Sequence, residues 1–135
     1  MLLLDASVWV AAKDGKDRYF ESARPLVLDP THPVAALDLT FYEVANGLGA
    51  RRGHHVAAAE LCQTIVERCP GTILSVDARM IESALEIAAE HGLTAYDAAY
   101  VAAARRHDWT LVSVDVADLV SKGLAVAPDA ADYPS

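Results

Sequence analysis

The chain opens Met1-Leu2-Leu3-Leu4-Asp5-Ala6-Ser7-Val8-Trp9-Val10-Ala11-Ala12, and the reading of this stretch decides the class of fold. Leu2 to Asp5 is a short apolar run that ends in an acid, the pattern of a strand buried on both faces. Ser7 to Ala12 reads as a short helix. A buried strand that passes at once into a helix starts an alternating β/α chain, and the remaining sequence continues the alternation. Asp17 to Leu28 reads as a helix disturbed by Pro25. Pro33 to Leu37 is a second strand. A helix begins near Asp38 or Thr40 and runs to about Arg52, with Phe41, Val44, Ala45 and Leu48 on one face and Gly53 as its stop. His54 to Cys69 is helical and Thr72 to Val76 a strand. Asp77 caps a helix that packs Ile81, Ala84, Leu85 and Ala88 and ends at Gly92. Thr94 to His107 is an alanine-rich helix, and Thr110 to Val114 is a strand. Asp115 leads a short helix to Lys122, and Leu124 to Ala127 reads as a last strand. Apolar strands separated by helices imply a mostly parallel sheet covered on both faces. In such sheets the working site lies beyond the carboxyl ends of the strands.

A chain of 135 residues is one ordinary domain, and 53% apolar residues is ample for a core. The domain is expected over residues 1–127. The tail, 128–135, holds two prolines and two acids and reads as a flexible or partner-binding segment. Lys and Arg number 11 against 19 Asp and Glu, a net charge of −8. That balance argues against a protein that coats nucleic acid through a broad cationic face. It leaves open a small site that reaches nucleic acid through bound metal. Cys62, Ile65, Val66 and Cys69 form one apolar helical stripe, so the two cysteines read as buried thiols and not as a bridge or zinc site. The first residues have no cationic lead and meet an acid at once, unlike a signal peptide. No stretch approaches 18 apolar residues. A soluble, reduced, cytoplasmic protein is the expectation.

Four acids fall where the sheet topology directs attention. Asp5 and Asp115 sit at the carboxyl ends of the first strand and of the strand Thr110 to Val114. Glu43 and Asp97 lie in the first turns of helices. All four carboxylates can meet at one edge of the sheet, where their mutual repulsion calls for a cation. Oxygen donors of this kind suit Mg²⁺ or Mn²⁺. Taken singly, three of them have a plainer explanation. Thr40-Phe41-Tyr42-Glu43 and Thr94-Ala95-Tyr96-Asp97 both have the spacing of a capping box, and Asp115 can cap the helix after it. Asp5 resists that explanation, because it follows three leucines at the end of a central strand.

Four segments then appear in order: Leu3-Leu4-Asp5-Ala6-Ser7-Val8-Trp9, Leu39-Thr40-Phe41-Tyr42-Glu43-Val44-Ala45-Asn46, Leu93-Thr94-Ala95-Tyr96-Asp97-Ala98-Ala99-Tyr100-Val101-Ala102, and Leu111-Val112-Ser113-Val114-Asp115. Together they resemble the PIN-domain ribonucleases, in particular the VapC toxins of type II toxin–antitoxin pairs. The resemblance covers Met1 to about Ala127 and is most specific around Asp97. It implies a three-layer α/β/α sandwich and a Mg²⁺- or Mn²⁺-dependent endoribonuclease that leaves 5′-phosphate and 3′-hydroxyl ends. It places the family's three firm acids at Asp5, Glu43 and Asp97, and the more variable fourth at Asp115, with Asp118 as the alternative. Ser113 takes the place of a threonine common in relatives. Ser7 and Asn46 are placed as supporting groups, Asn46 on the same helical face as Glu43, while Ser7 reads equally as a helix cap. The resemblance further implies a homodimer, a VapB-type antitoxin, assemblies of the two as a heterotetramer or larger, and single-stranded or looped RNA, such as a tRNA or rRNA loop, as substrate.

The cations are harder to place. Arg51, Arg52, His54 and His55 form one cluster and Arg105, Arg106 and His107 another. Both close helices, where positive charge suits the dipole. Lys13, Lys16 and Arg18 follow the first short helix and are the better candidates for RNA phosphates. Tyr42 and Tyr96 each precede a proposed ligand and can stack on an unpaired base, but core or interface packing is the preferred reading. Trp9 and Trp109 read as packing residues. Among rivals, a phosphatase wants a second Asp two residues after the first, where Ser7 stands. A receiver domain wants paired acids near the start and a late lysine, and neither is present. A non-catalytic module whose acids capture a basic partner is the remaining alternative.

Overall fold

The computed structural model describes residues 1–132. Strands β1 (Leu2–Leu4), β2 (Val34–Leu37), β3 (Ile73–Leu74) and β4 (Thr110–Val112) form one parallel sheet in the order β3-β2-β1-β4. Leu2 is in register with Val34 on one side and Thr110 on the other, and Leu4 with Val112. β1 is therefore an inner strand, as its three buried leucines require.

Side chains alternate across a strand, and here the alternation feeds two separate cores. Leu2, Leu4, Val34, Ala36 and Val112 face α1 (Ala6–Ala11), α2 (Phe20–Leu28), α3 (Leu39–Val44) and α4 (His55–Arg68). Trp9 fills this side, and its indole N–H donates to the Leu4 carbonyl at 3.3 Å. Leu3, Ala35, Leu37 and Leu111 face the other way, against α5 (Ala78–His91) and α6 (Ala95–His107). The result is a three-layer α/β/α sandwich. Truncating Leu3 or Leu4 to alanine would cost about 2–5 kcal/mol, because neither site can collapse on its own.

Several helices turn a different face inward from the one the sequence suggested. On α5 the buried residues are Met80, Ala84 and Ile87, while Ile81 is exposed and Leu85 is 57% exposed. The helix offers two overlapping apolar stripes, and packing against α6 selects the one that starts at Met80. On α4, Ala58, Leu61 and Ile65 point inward. Cys69 is buried and Cys62 half-buried, both as free thiols, but Val66 faces out. The helix expected to run to Arg52 is α-helical only to Val44. Ala45–Ala50 is wound as a π-helix, with Arg51 N–H donating to the Asn46 carbonyl at 2.9 Å. Gly47 and Gly49 weaken the α-form there. α2 starts at Phe20 and carries Pro25 within it.

The last expected strand, Leu124 to Ala127, is reduced to a single parallel bridge between Val126 and Val112. Its backbone bonds are Val126 N to Leu111 O at 2.9 Å and Ser113 N to Val126 O at 3.0 Å. Pro128–Ala130 forms a 3₁₀ turn against α2, with Pro128 buried. The end of the tail, 133–135, lies outside the described residues. Among the described residues, no helix is long and apolar enough to cross a membrane.

Candidate active site

The carboxyl edge of the sheet collects the acids. β1 ends at Leu4, so Asp5 stands directly on the edge, 5% exposed. It is the N-cap of α1 and accepts from the Val8 N–H at 3.3 Å. Ser7 is thus not the cap. It lies in the first turn, and its hydroxyl donates to Asp5 Oδ1 in a short hydrogen bond. The same hydroxyl accepts from the Val114 N–H at 3.1 Å and lies 3.5 Å from the Ser113 hydroxyl. Ser113 in turn accepts from the Asp115 N–H at 3.1 Å. The two serines therefore tie the end of β1 to the segment after β4. Burial pushes the Asp5 carboxyl up to about 6, against the pull of the Ser113 and Ser7 hydroxyls and the Val8 N–H, with a small further push from Glu43.

Glu43 reaches the edge from α3. The first cap of that helix is Asp38, whose carboxylate accepts from Leu39 N–H at 2.8 Å and Val76 N–H at 3.2 Å. Thr40 is therefore inside the helix, not at its cap, and Glu43 does not close a capping box. Instead Tyr100, on α6, donates its hydroxyl proton to Glu43 Oε1 at 2.8 Å. Tyr100 also meets the Thr40 hydroxyl at 2.8 Å, and Thr40 accepts from Leu37 N–H at 3.2 Å. Since Tyr100 has one proton and gives it to Glu43, Thr40 must donate to Tyr100. A polarised relay runs from the end of β2 to a carboxylate. The threonine and the tyrosine are both buried. Burial raises the Glu43 carboxyl, Tyr100 lowers it, and Asp97 raises it again.

Asp97 lies in the first turn of α6, whose cap is Thr94, with Asp97 N–H donating to the Thr94 hydroxyl at 3.2 Å. Its carboxyl is raised by burial first, then by Asp115 and Asp118. Carboxylate oxygens of Asp97, Asp115 and Asp118 lie within 4.8 Å of one another. Asp115 accepts from Asp118 N–H at 3.0 Å, so it is a cap and a member of the cluster at once. Electrostatic coupling thus runs from Asp5 to Glu43, from Glu43 to Asp97, and from Asp97 to the Asp115–Asp118 pair.

Cations of the chain do not neutralise this row. Lys122 lies 3.9 Å from Asp118 at the exposed end. Among the described residues, Asp5, Glu43, Asp97 and Asp115 have no ion pair with lysine or arginine. Buried or half-buried carboxylates with raised pKa, donors all oxygen, are the environment a hard divalent cation stabilises. Lys13, Lys16 and Arg18 make no bond to these acids. Lys16 uses its backbone N–H on Asp14 at 3.0 Å, and Arg18 stacks 5.3 Å over the Tyr19 ring. The cation that does share a groove with Glu43 is Arg51. That groove, about 440 Å³, is also lined by Leu39, Tyr42, Asn46 and Tyr96. The two tyrosines are not core residues. Tyr42 is 75% and Tyr96 62% exposed.

Read from the sequence, Tyr100 and Thr40 have no part in the site, and Arg51 is more readily a cation at a helix end than a contact for RNA phosphate. Tyr100 and Thr40 looked like an ordinary helical residue and a cap, and only the contact between α3 and α6 reveals them. For Arg51 a signal existed. Glu43, Gly47 and Arg51 recur every four residues, which places a cation on the face of the acid.

A parallel sheet whose carboxyl edge gathers uncompensated acids from two helices and two strand ends defines an acidic-site α/β domain. The model of the PIN domain matches residues 2–117, and the chain belongs to that family. It is 32% identical over 118 residues to Ribonuclease VapC3 of Pyrobaculum aerophilum, covering 84% of this chain and 88% of that one. Its fold matches VapC20 of Mycobacterium tuberculosis, described as a sarcin-ricin loop cleaving toxin. The TM-score is 0.73 at 20% identity, over 91% of this chain and 95% of that one. It also matches FitAcB from Neisseria gonorrhoeae, TM-score 0.70 at 23% identity, over 97% and 100% of the two chains.

Proposed function

We propose that the chain is a toxin-type endoribonuclease that hydrolyses phosphodiester bonds of single-stranded or looped RNA with the help of Mg²⁺ or Mn²⁺. The observation that carries this reading is the row of acids Asp5, Glu43, Asp97 and Asp115 at one edge of the sheet, left without a lysine or arginine partner among the described residues, with the first three carboxyls raised chiefly by burial. Asp5, Glu43, Asp97 and Asp115 would hold the cation, with Asp118 beside them. Bound there, a divalent ion activates water and stabilises charge on phosphoryl oxygens.

The chain's own groups set the geometry. Ser7 and Ser113 hold Asp5 against the end of β4. Tyr100 occupies one oxygen of Glu43 and leaves the other free. Asn46 follows Glu43 along the groove. The reading needs no cysteine nucleophile, since Cys69 is buried in the core and burial pushes its thiol up to about 11, and the Ser7 hydroxyl is engaged as a donor to Asp5. The partner in this reading is a small VapB-type antitoxin that covers the acids, with the chain as a homodimer in a heterotetramer or larger assembly; a solved structure of similar fold described as a toxin–antitoxin complex supports the antitoxin. The nuclease unit is residues 1–127, and the segment that follows starts with the Pro128–Ala130 turn packed on α2 and is not a free tail there.

The decisive assay is cleavage of defined RNAs with Mn²⁺, with Mg²⁺ and with EDTA, comparing wild type with Asp97→Asn. Metal-dependent cleavage that the substitution abolishes is the expected result. Cleavage unaffected by EDTA, or an Asp97→Asn protein as active as wild type, would sink the proposal and leave a binding module.

A further inference from the structure

The groove beside Glu43 is more than a margin of the acid row. Tyr42 and Tyr96 both line it and stand exposed, and neither makes a hydrogen bond or ring contact among the described residues. Arg51 is likewise exposed and unpaired there, although its neighbour Arg52 is held 3.7 Å from Asp14. Asn46 adds an exposed amide. Two free aromatic faces, one free guanidinium and an amide in a single groove match the face, phosphate and edge of a nucleotide. An apolar helix laid in the same groove would bury Arg51 and Glu43 without partners, which is costly.

Resting on the ribonuclease reading above, we infer that this groove takes one unpaired nucleotide of the RNA. Its base stacks on Tyr42 and Tyr96, and Arg51 draws its phosphate. Glu43 belongs both to the groove and to the acid row, so the nucleotide held here is a direct neighbour of the bond being cut. A base inside a duplex cannot offer its face, and the groove therefore selects single strands or loops. Among the described residues, Arg51 is the one cation that lines it, in a chain of net charge −8. Affinity must then come from stacking more than from phosphate contacts.

The test is binding of a short single-stranded RNA carrying 2-aminopurine, followed by fluorescence in EDTA so that nothing is cleaved. Tyr42→Ala and Tyr96→Ala should each weaken binding between about fivefold and a hundredfold, the range of base–aromatic stacking. Tyr42→Phe and Tyr96→Phe should bind as wild type, because the ring is what stacks. Arg51→Gln should lower the slope of log affinity against log salt by about 0.7. Alanine variants that bind the RNA as wild type does would overturn the inference. So would equal affinity for a blunt duplex. So would alanine variants that turn a dimer into a monomer in sedimentation with RNA affinity intact, which would make the rings an interface between copies. The assay uses no metal, so its failure is separable from that of the nuclease reading, which Asp97→Asn tests by cleavage alone.

Discussion

Helices α3 and α6 carry one pattern, Thr-x-Tyr-acid, at Thr40–Glu43 and Thr94–Asp97, and the fold uses the two copies differently. In α6 the pattern acts locally. Thr94 caps the helix, and its hydroxyl accepts the Asp97 N–H. In α3 the cap is taken by Asp38, two residues earlier. Thr40 is then carried inside, where it links Leu37 to Tyr100 and through it to Glu43. The tyrosine of each pattern is exposed and the acid of each points to the same edge. Equal spacing along the chain therefore does not fix the job of the first residue. That job depends on whether a stronger cap precedes it and on what the neighbouring helix brings to meet it.

The comparison can be broken most sharply at the acids. Asp97→Asn should reduce metal-dependent RNA cleavage about a thousandfold or more, since the charge stabilisation contributed by a catalytic metal is several kcal/mol. Single-turnover cleavage rates decide it, and a loss under tenfold would make Asp97 a cap residue like Thr94.

Next comes the pH dependence of the metal-free protein. Burial holds Asp5 at about 6, above its ordinary 3.8. The folded chain then binds this proton more tightly than the unfolded chain. Stability from this group is fully present below about pH 4 and falls as pH rises through 6, by up to about 3 kcal/mol. Glu43 and Asp97 are shifted in the same direction and deepen the fall. Denaturant melts in EDTA from pH 4 to pH 8 measure it, and Asp5→Asn should flatten the curve. Above pH 6, Mn²⁺ at a hundred times its dissociation constant should return about 2.7 kcal/mol, a rise in Tm of roughly 8 °C.

The relay gives a smaller effect that separates the two threonines. Thr40→Ala leaves Leu37 N–H and the Tyr100 hydroxyl short of a partner in the interior, costing about 2 kcal/mol. Tyr100→Phe releases Glu43 and should weaken Mn²⁺ binding roughly 10–100-fold, as loss of an outer partner does. Denaturant melts read the first, and calorimetric titration with Mn²⁺ reads the second and shows whether Thr40→Ala weakens the metal as well. Thr94→Ala should cost only about 1 kcal/mol, the value of one cap, with Mn²⁺ affinity unchanged. Equal effects of the two threonine substitutions on metal affinity would erase the distinction drawn here.

The alternation of strands and helices, the place of Asp5 and the stretch of sheet edge where the acids meet were all legible in the chain. Each rests on a short-range rule. Three leucines before an acid make a buried strand end, and a parallel sheet presents its carboxyl ends to one side. The inward face of α5 was not legible, because Met80 and Ile81 head stripes of similar apolar content and only contact with α6 chooses. The π-turn after Val44 and the single bridge left of the last strand also escaped, since both depend on what packs against them. The same holds for the site. Carboxylates announce themselves by residue type. Thr40 and Tyr100 lie 60 residues apart, and a hydrogen bond between them has no trace in local spacing. What the sequence determined by itself is periodic and local, and what the tertiary structure alone decided is which distant groups share a proton or a groove, because that depends on distances across helices and not along them.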